Sequence, residues 1–166
     1  MMNTISPDRV RFLLDYDPET GIFTWSRGQR AGRRAGTSRS NGYVIIQIDG
    51  ENLYAHRIAW VHFHGRPLQS HCDHKDGDRS NNKIANLREA TPSENRINGG
   101  LRKSNKTGLK GVTLRRGRYR ATIKLPSGYQ ALGTYDTPLE AALAYDRAAR
   151  EGQGEFAVTN EMLGTI

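Results

Sequence analysis

Residues 70–95 read SHCDHKDGDRSNNKIANLREATPSEN, and this stretch decides the fold. It opens on the pair Asp73-His74 and runs through a polar turn, Asp76 to Asn82, too rich in Gly, Ser and Asn for a helix or a buried strand. A short extended piece follows at Asn86-Leu87-Arg88. Thr91-Pro92-Ser93-Glu94 is a helix start, with Thr91 as N-cap, Pro92 at the first helical position and Glu94 as capping-box partner. Asn95 then falls in the first helical turn, where free backbone N–H groups favour an anion. The predicted local shape is strand, turn, strand, helix start, with its ends close together.

Position by position, the stretch resembles the HNH nuclease motif in the variant whose third signature position is Asn. It matches D-H-x-D-G-x-x-x-N-N-x-x-x-N-L followed by T-x-x-E-N. The resemblance implies a ββα-metal (His-Me) finger with signature positions at His74, Asn86 and Asn95, and Asp73 beside the first. It further implies one divalent ion, Mg²⁺ or alternatively Mn²⁺, held by the Asp73 carboxylate and the Asn95 amide. His74 would be the general base, and Asn86 would hold the loop and the orientation of that base. The chemistry asks for these residue types. A phosphodiester repels nucleophiles and has a poor leaving group, and a hard cation on oxygen ligands counters both. On a strand, His74 points away from Asp73, and an imidazole's ordinary pKa of about 6.5 suits proton abstraction near neutral pH.

Other readings of the stretch are weaker. Asp76, Asp78 and Ser80 begin like a calcium loop, but Asn81 and Leu87 stand where an EF-hand needs Gly and Glu. His71, Cys72 and His74 suggest zinc, yet Cys72 is the sole cysteine. A degenerate finger that binds DNA without cutting it remains the alternative.

The chain has 166 residues, room for one domain or two small ones, and 36% hydrophobic content favours several small cores. Its net charge of +8 argues for a polyanionic partner because the charge is clustered. Leu101 to Tyr135 holds nine Lys or Arg and no acid, and the span from Glu19 to Asp49 encloses five Arg and no acid. No apolar run suggests a secretory signal or a membrane span, and a single Cys fits a reducing compartment, so cytoplasm is the expected location.

In chain order, Ser6-Pro7 starts a short helix with Val10, Leu13 and Leu14 on one face. Asp17 to Gly21 is a turn, Ile22 to Trp25 a strand, and Ser26 to Asn41 an arginine-bearing loop. That loop is either solvated or a phosphate-tracking arm. Tyr43 to Ile48, Asp49-Gly50 and Leu53 to Ala55 read as a hairpin. A helix is predicted over Arg57 to His64, where HRIAW resembles an element preceding the finger in phage HNH proteins. His56, His62 and His64 are expected to be structural or surface residues. Residues 98–106 read as a flexible cationic linker.

The remainder, 107–160, predicts strands at Gly111 to Leu114, Arg118 to Leu125 and Tyr129 to Gly133, with a turn at Pro126-Ser127-Gly128. A helix follows, capped by Thr137-Pro138-Leu139-Glu140 and rich in Ala. Alternation turns Tyr119, Ala121 and Ile123 towards that helix and Arg118, Arg120, Thr122 and Lys124 away from it. With KGV, GRYRATI and LGTYDTPLEAALAYDRAA, this part resembles the ethylene-response-factor (apetala-type) DNA-binding domain. That family reads the major groove with its sheet, which implies Lys110, Thr113, Arg115, Arg118, Arg120, Thr122, Lys124, Tyr129 and Ala131 as DNA-facing positions. The groove-contacting Trp residues of the plant pattern are missing, so phosphate contacts are better supported than base contacts.

The expectation is an α+β protein: residues 1–97 with the finger at about 70–97, a linker at 98–106, and a three-stranded antiparallel sheet packed on one helix at 107–160. The resemblance to free-standing phage homing endonucleases implies metal-dependent hydrolysis of duplex DNA to 5′-phosphate and 3′-hydroxyl ends. It needs no membrane or small-molecule cofactor and is placed in the bacterial host's cytoplasm. A non-cleaving regulator and an RNA-directed protein are the rivals; few exposed aromatics on the sheet face count against the latter.

Overall fold

The computed structural model describes residues 5–101, 104–125 and 127–166. The chain divides into two compact units, 1–91 and 92–166. The division precedes the short helix that was expected to close the first unit.

The first unit begins with α1 (Pro7–Leu13), but Leu14 is already extended and opens β1 (Leu14–Asp17). Leu14 therefore leaves the helical face expected of it and pairs with Trp25 of β2 (Ile22–Trp25), fully buried all the same. Tight turn chemistry at Asp17 makes this hairpin: its carboxylate accepts from the Glu19 and Thr20 backbone N–H groups and from the Thr20 hydroxyl. The arginine-bearing loop is not wholly irregular, since β3 (Arg34–Ala35) joins the β1–β2 sheet and β4 (Thr37–Ser38) joins a second one. That second sheet is completed by β5 (Val44–Ile48) and β6 (Glu51–Tyr54). Asp49 and Gly50 between them both take positive φ, 51° and 84°, as a two-residue hairpin turn requires.

Helix α2 (Ala55–His64) buries Ala55, Ile58, Ala59, Trp60 and Val61 against both sheets and ends at Gly65 in the left-handed conformation. Phe63 stays exposed. The last elements are β7 (His71–His74), a 3₁₀ turn over Ile84–Asn86, and β8 (Leu87–Ala90). The extended piece thus starts one residue later than predicted, because Asn86 closes the turn. β7 and β8 pair antiparallel, with Asp73 opposite Arg88 and His74 opposite Leu87. Cys72 and Leu87 join this ladder to the core formed by α1, α2 and the two sheets.

The second unit starts with α3 (Pro92–Ile97), which begins at the predicted proline. Of the expected linker, Arg102 and Lys103 lie outside the described residues. Its end is not loose: Asn105 accepts from the Thr107 and Gly108 backbone N–H groups and donates to the Leu109 carbonyl. A three-stranded antiparallel sheet follows in the order β11–β10–β9, from β9 (Val112–Arg115), β10 (Arg118–Leu125) and β11 (Gly128–Tyr135). Arg116 and Gly117 make a second two-residue turn with positive φ at both positions. Pro126 of the next predicted turn lies outside the described residues. α4 (Pro138–Gly152) carries the predicted capping box, with both the Thr137 and Glu140 bonds made. Ala141, Ala142 and Ala149 are fully buried and let α4 lie close on Ala121 and Ile123. The α+β class and the sheet-on-helix layout are as the sequence indicates.

Candidate active site and nucleic-acid interface

The loop between β7 and β8 is tied by its own polar side chains. Asp76 takes Asn86 Nδ2 and the Asp78 backbone N–H on Oδ1, and Asn81 Nδ2 on Oδ2. Asn86 also accepts from the Asp76 backbone N–H and donates to the Asn81 carbonyl. Asp78 takes the Ser80 N–H and hydroxyl, which hold its carboxyl below the usual range. These carboxylates, candidates for a calcium loop, are engaged in closing the turn. Asn86 thus bonds Asp76 and Asn81 across the loop.

The orientation of His74 falls to a different residue. His74 is buried, and its Nε2 lies 3.2 Å from Oδ1 of buried Asn82. Asn82 Nδ2 donates to the Ser80 carbonyl, which fixes which end of the amide faces the ring. A carboxamide oxygen only accepts, so in the neutral imidazole Nε2 carries the proton and Nδ1 the lone pair. Asn82 is itself seated from the β1–β2 hairpin. The Tyr16 hydroxyl donates to its carbonyl at 2.7 Å, and a Cβ on Gly21 would meet its backbone carbon at 2.6 Å. Asn82 was visible in the motif as the second residue of its N-N pair, but its spacing gave no hint of contact with the histidine.

His56 was expected to be merely structural. It is buried and packs edge-on against His74, ring centroids 4.8 Å apart. Tyr43 borders both rings, at 5.4 Å from His56 and 6.2 Å from His74, and Arg79 lies over Tyr43. Burial, followed by the charges of His74 and Arg57, drives the His56 pKa down to about 3, so it stays neutral beside the candidate base. His62 and His64 behave as expected: one bonds the Leu14 carbonyl, the other packs on Trp60 and Phe63.

Asp73 is buried on β7 and accepts from Nε and Nη2 of Arg88 on Oδ2, at 3.2 and 3.0 Å. Its Oδ1 takes no bond from a described residue. Among the described residues no group of three or more His, Cys, Asp or Glu could hold a metal. Cys72 is no ligand: burial pushes its thiol up to about 12, and the Sγ faces the His56 carbonyl. The donor set that the first unit supplies beside Arg88 is therefore one carboxylate oxygen, with water to complete a shell. That set fits a hydrated hard cation such as Mg²⁺ and does not fit zinc. Asn95 is half-buried on α3, in the second unit.

On the second unit's sheet, Thr113 pairs with Arg120, Arg115 with Arg118, and Lys124 with Tyr129. Arg120, Thr122 and Lys124 sit across from Tyr119, Ala121 and Ile123 in the alternation, so these candidates share the face away from α4. A bulge at Leu132 shifts the register so that Thr122 pairs with Ala131. Tyr129 is 74% exposed. Arg118 pairs with Asp136 at 2.8 Å, a surface contact worth under about 1 kcal/mol. Lys110 departs from this pattern. It is half-buried, its Nζ donates to the Ile97 carbonyl at 2.9 Å, and burial lowers its pKa to about 8. It sits before β9, with its backbone held by Asn160, and is not on the sheet face. Thr113, Thr122, Lys124 and Tyr129 are among the residues lining a cavity of about 880 Å³, together with Ile97 and Tyr145.

Residues 53–97 match the family model described as HNH endonuclease. An uncharacterized HNH endonuclease of Acanthamoeba polyphaga mimivirus is 32% identical over 124 residues, 74% of this chain and 64% of that protein. Protein 3.8 of Escherichia phage T7 is 36% identical over 93 residues, 55% of this chain and 76% of that protein. The chain carries an HNH endonuclease domain over residues 53–97. The chain spans 64% of the mimivirus protein's length. An ethylene-responsive transcription factor of Arabidopsis thaliana is 56% identical over 46 residues, 26% of this chain and 22% of that protein. Among solved structures, one of DNA binding and cleavage by the HNH homing endonuclease I-HmuI is similar at 20% identity and a TM-score of 0.43, covering 84% of each chain.

Proposed function

We propose that this HNH endonuclease hydrolyses phosphodiester bonds of duplex DNA with the aid of one divalent ion, Mg²⁺ or Mn²⁺. The observation that carries the reading is the His74–Asn82 pair, in which the Asn82 carboxamide oxygen faces Nε2, so that Nδ1 is the nitrogen bearing the lone pair in the neutral form of the ring. His74 takes the proton from the attacking water through that nitrogen. Asn82 fixes the tautomer, and Asn86 keeps the loop closed behind it. Asp73 would hold the cation through Oδ1. When bound, the ion supplies Lewis-acid stabilisation of the phosphate and the leaving oxygen.

The second unit grips the DNA in this reading, through Thr113, Arg115, Arg118, Arg120, Thr122, Lys124 and Tyr129. The match to the plant transcription factor supports it, as does the absence of any acid between Leu101 and Tyr135. Lys110 is left out because its ammonium is bonded internally. A phage-encoded, homing-like role inside a bacterial host agrees with the viral relatives. No helix among the described residues is long and apolar enough to cross a membrane.

The buried Asp73–Arg88 pair favours one rival, a non-cleaving DNA-binding regulator. Incubation with supercoiled plasmid, with and without Mg²⁺, separates the two. Metal-dependent relaxed or linear product that disappears in His74→Ala and Asp73→Ala, with DNA binding retained, is expected. Equal cleavage by His74→Ala would remove the proposed base.

A further inference from the structure

Asp73 and Arg88 are opposite each other in the β7–β8 ladder, and their side chains are only 8% and 6% exposed. A guanidinium facing a carboxylate commonly spreads two donors over two oxygens. Here Nε and Nη2 both go to Oδ2, and no described residue donates to Oδ1. As a fastener for two short strands this is a poor arrangement, since a buried ion pair returns little of its desolvation cost and an apolar pair would serve as well. It does achieve something an apolar pair does not: it holds a carboxylate in a largely buried place with one oxygen engaged and the other on offer.

We propose that Arg88 is a positioning residue for Asp73, holding Oδ2 so that a divalent cation meets Oδ1 alone. The inference rests on the reading of Asp73 as a metal ligand. Single-oxygen contact suits Mg²⁺ and Mn²⁺ with their compact, water-rich shells, whereas Ca²⁺ gains from a bidentate carboxylate. The guanidinium charge, about 3 Å from the same carboxylate, also repels an incoming ion. Without Arg88, both oxygens become available and the repulsion goes. Affinity for divalent ions then rises, and most of all for Ca²⁺. A merely structural ion pair predicts no change in ion preference.

The test is Mn²⁺ binding to the full chain without DNA, read from the electron paramagnetic resonance signal of the free ion, with Ca²⁺ as competitor. Wild type is expected to prefer Mn²⁺ over Ca²⁺ by about tenfold. Arg88→Met should bind Ca²⁺ about tenfold and Mn²⁺ about threefold more tightly than wild type. Arg88→Lys keeps the charge but loses the fork, so it should leave Mn²⁺ affinity within about threefold while still shifting preference towards Ca²⁺. Near-UV circular dichroism identifies which variants fold, and the lysine variant serves if the methionine one does not. Equal affinity of wild type for the two ions, or an unchanged ion preference in a folded Arg88 variant, overturns the proposal. Asp73→Asn is the separate control: if it binds Mn²⁺ as well as wild type, Asp73 is not a ligand and the underlying reading fails instead.

Discussion

Nε2 of His74 and Oδ1 of Asn82 lie 3.2 Å apart inside the β7–β8 loop, and the asparagine is locked by its own bond to the Ser80 carbonyl. If His74 is the base, as proposed, a side chain this well fixed aims it, and activity is sensitive to that side chain. Asn82→Ala is expected to lower kcat for plasmid nicking by about 10²-fold, with KM changed little, because the substrate is not bound by Asn82. Asn82→Asp keeps an acceptor facing Nε2 and should recover part of the loss. Single-turnover cleavage of a labelled duplex, alongside equilibrium DNA binding, checks both.

His56 gives the first unit an acid-sensitive component. Its folded pKa, about 3, lies well below the ordinary histidine value, chiefly because it is buried. Below about pH 6.5 the unfolded chain takes up a proton there that the folded chain refuses. The stability this site contributes is therefore complete above about pH 6.5 and is lost as pH falls towards about 3, at about 1.4 kcal/mol per unit. Between about pH 7 and about pH 5 the loss comes to about 2 kcal/mol. Urea unfolding at those two pH values should show His56→Leu shedding less stability than wild type by that amount. An identical pH response in the variant would mean that His56 is solvated in the folded protein.

The finger's order of elements was legible because its signals are local. Turn residues, a capping box and an Asp-His pair each act within a few positions. The same holds for α4, whose Thr137 and Glu140 cap it as read, and for β10, whose alternation sets the face. What escaped the sequence is what depends on residues far apart. His56 touches His74 across 18 positions, and Tyr16 reaches Asn82 across 66. Leu14 fits a helical face by spacing, yet pairing with Trp25 draws it into a strand. Lys110 shares its charge with the sheet arginines, but a carbonyl 13 residues back captures its ammonium. Charge count does not report such a partner.

On the second unit, Arg120 is exposed in mid-strand beside Thr113 and Thr134. If the sheet face grips DNA, Arg120→Ala should weaken binding about equally for unrelated duplexes and lower the slope of log K against log salt by about 1. Folding stability should change by no more than about 0.5 kcal/mol, since the side chain lies on the surface. Lys110→Ala is the contrasting case: its bond is internal, so stability should fall while the salt slope stays put. Fluorescence anisotropy over a salt series, with thermal melts of both variants, distinguishes them. A Lys110→Ala slope reduced as much as that of Arg120→Ala would return Lys110 to the interface.

Gly21 closes the β1–β2 turn at a φ of 73°, and a Cβ there would lie 2.6 Å from both the Asn82 carbonyl carbon and the Lys83 nitrogen. Those are backbone atoms, which cannot swing aside as the end of a long side chain can. Gly21→Ala must therefore strain its own backbone, push the 82–83 peptide away, or both. The first effect costs about 1 kcal/mol in stability. The second moves Asn82, and with it the hold on His74, so the expected loss of cleavage is larger than the melting temperature alone would suggest. Gly50→Ala is the matched comparison: its φ is 84°, but nothing lies within 4 Å of the added carbon. Both variants should melt lower, whereas only Gly21→Ala should lose about tenfold or more in single-turnover rate at a temperature where both are folded. Equal rates for the two would show that the hairpin turn does not brace the base.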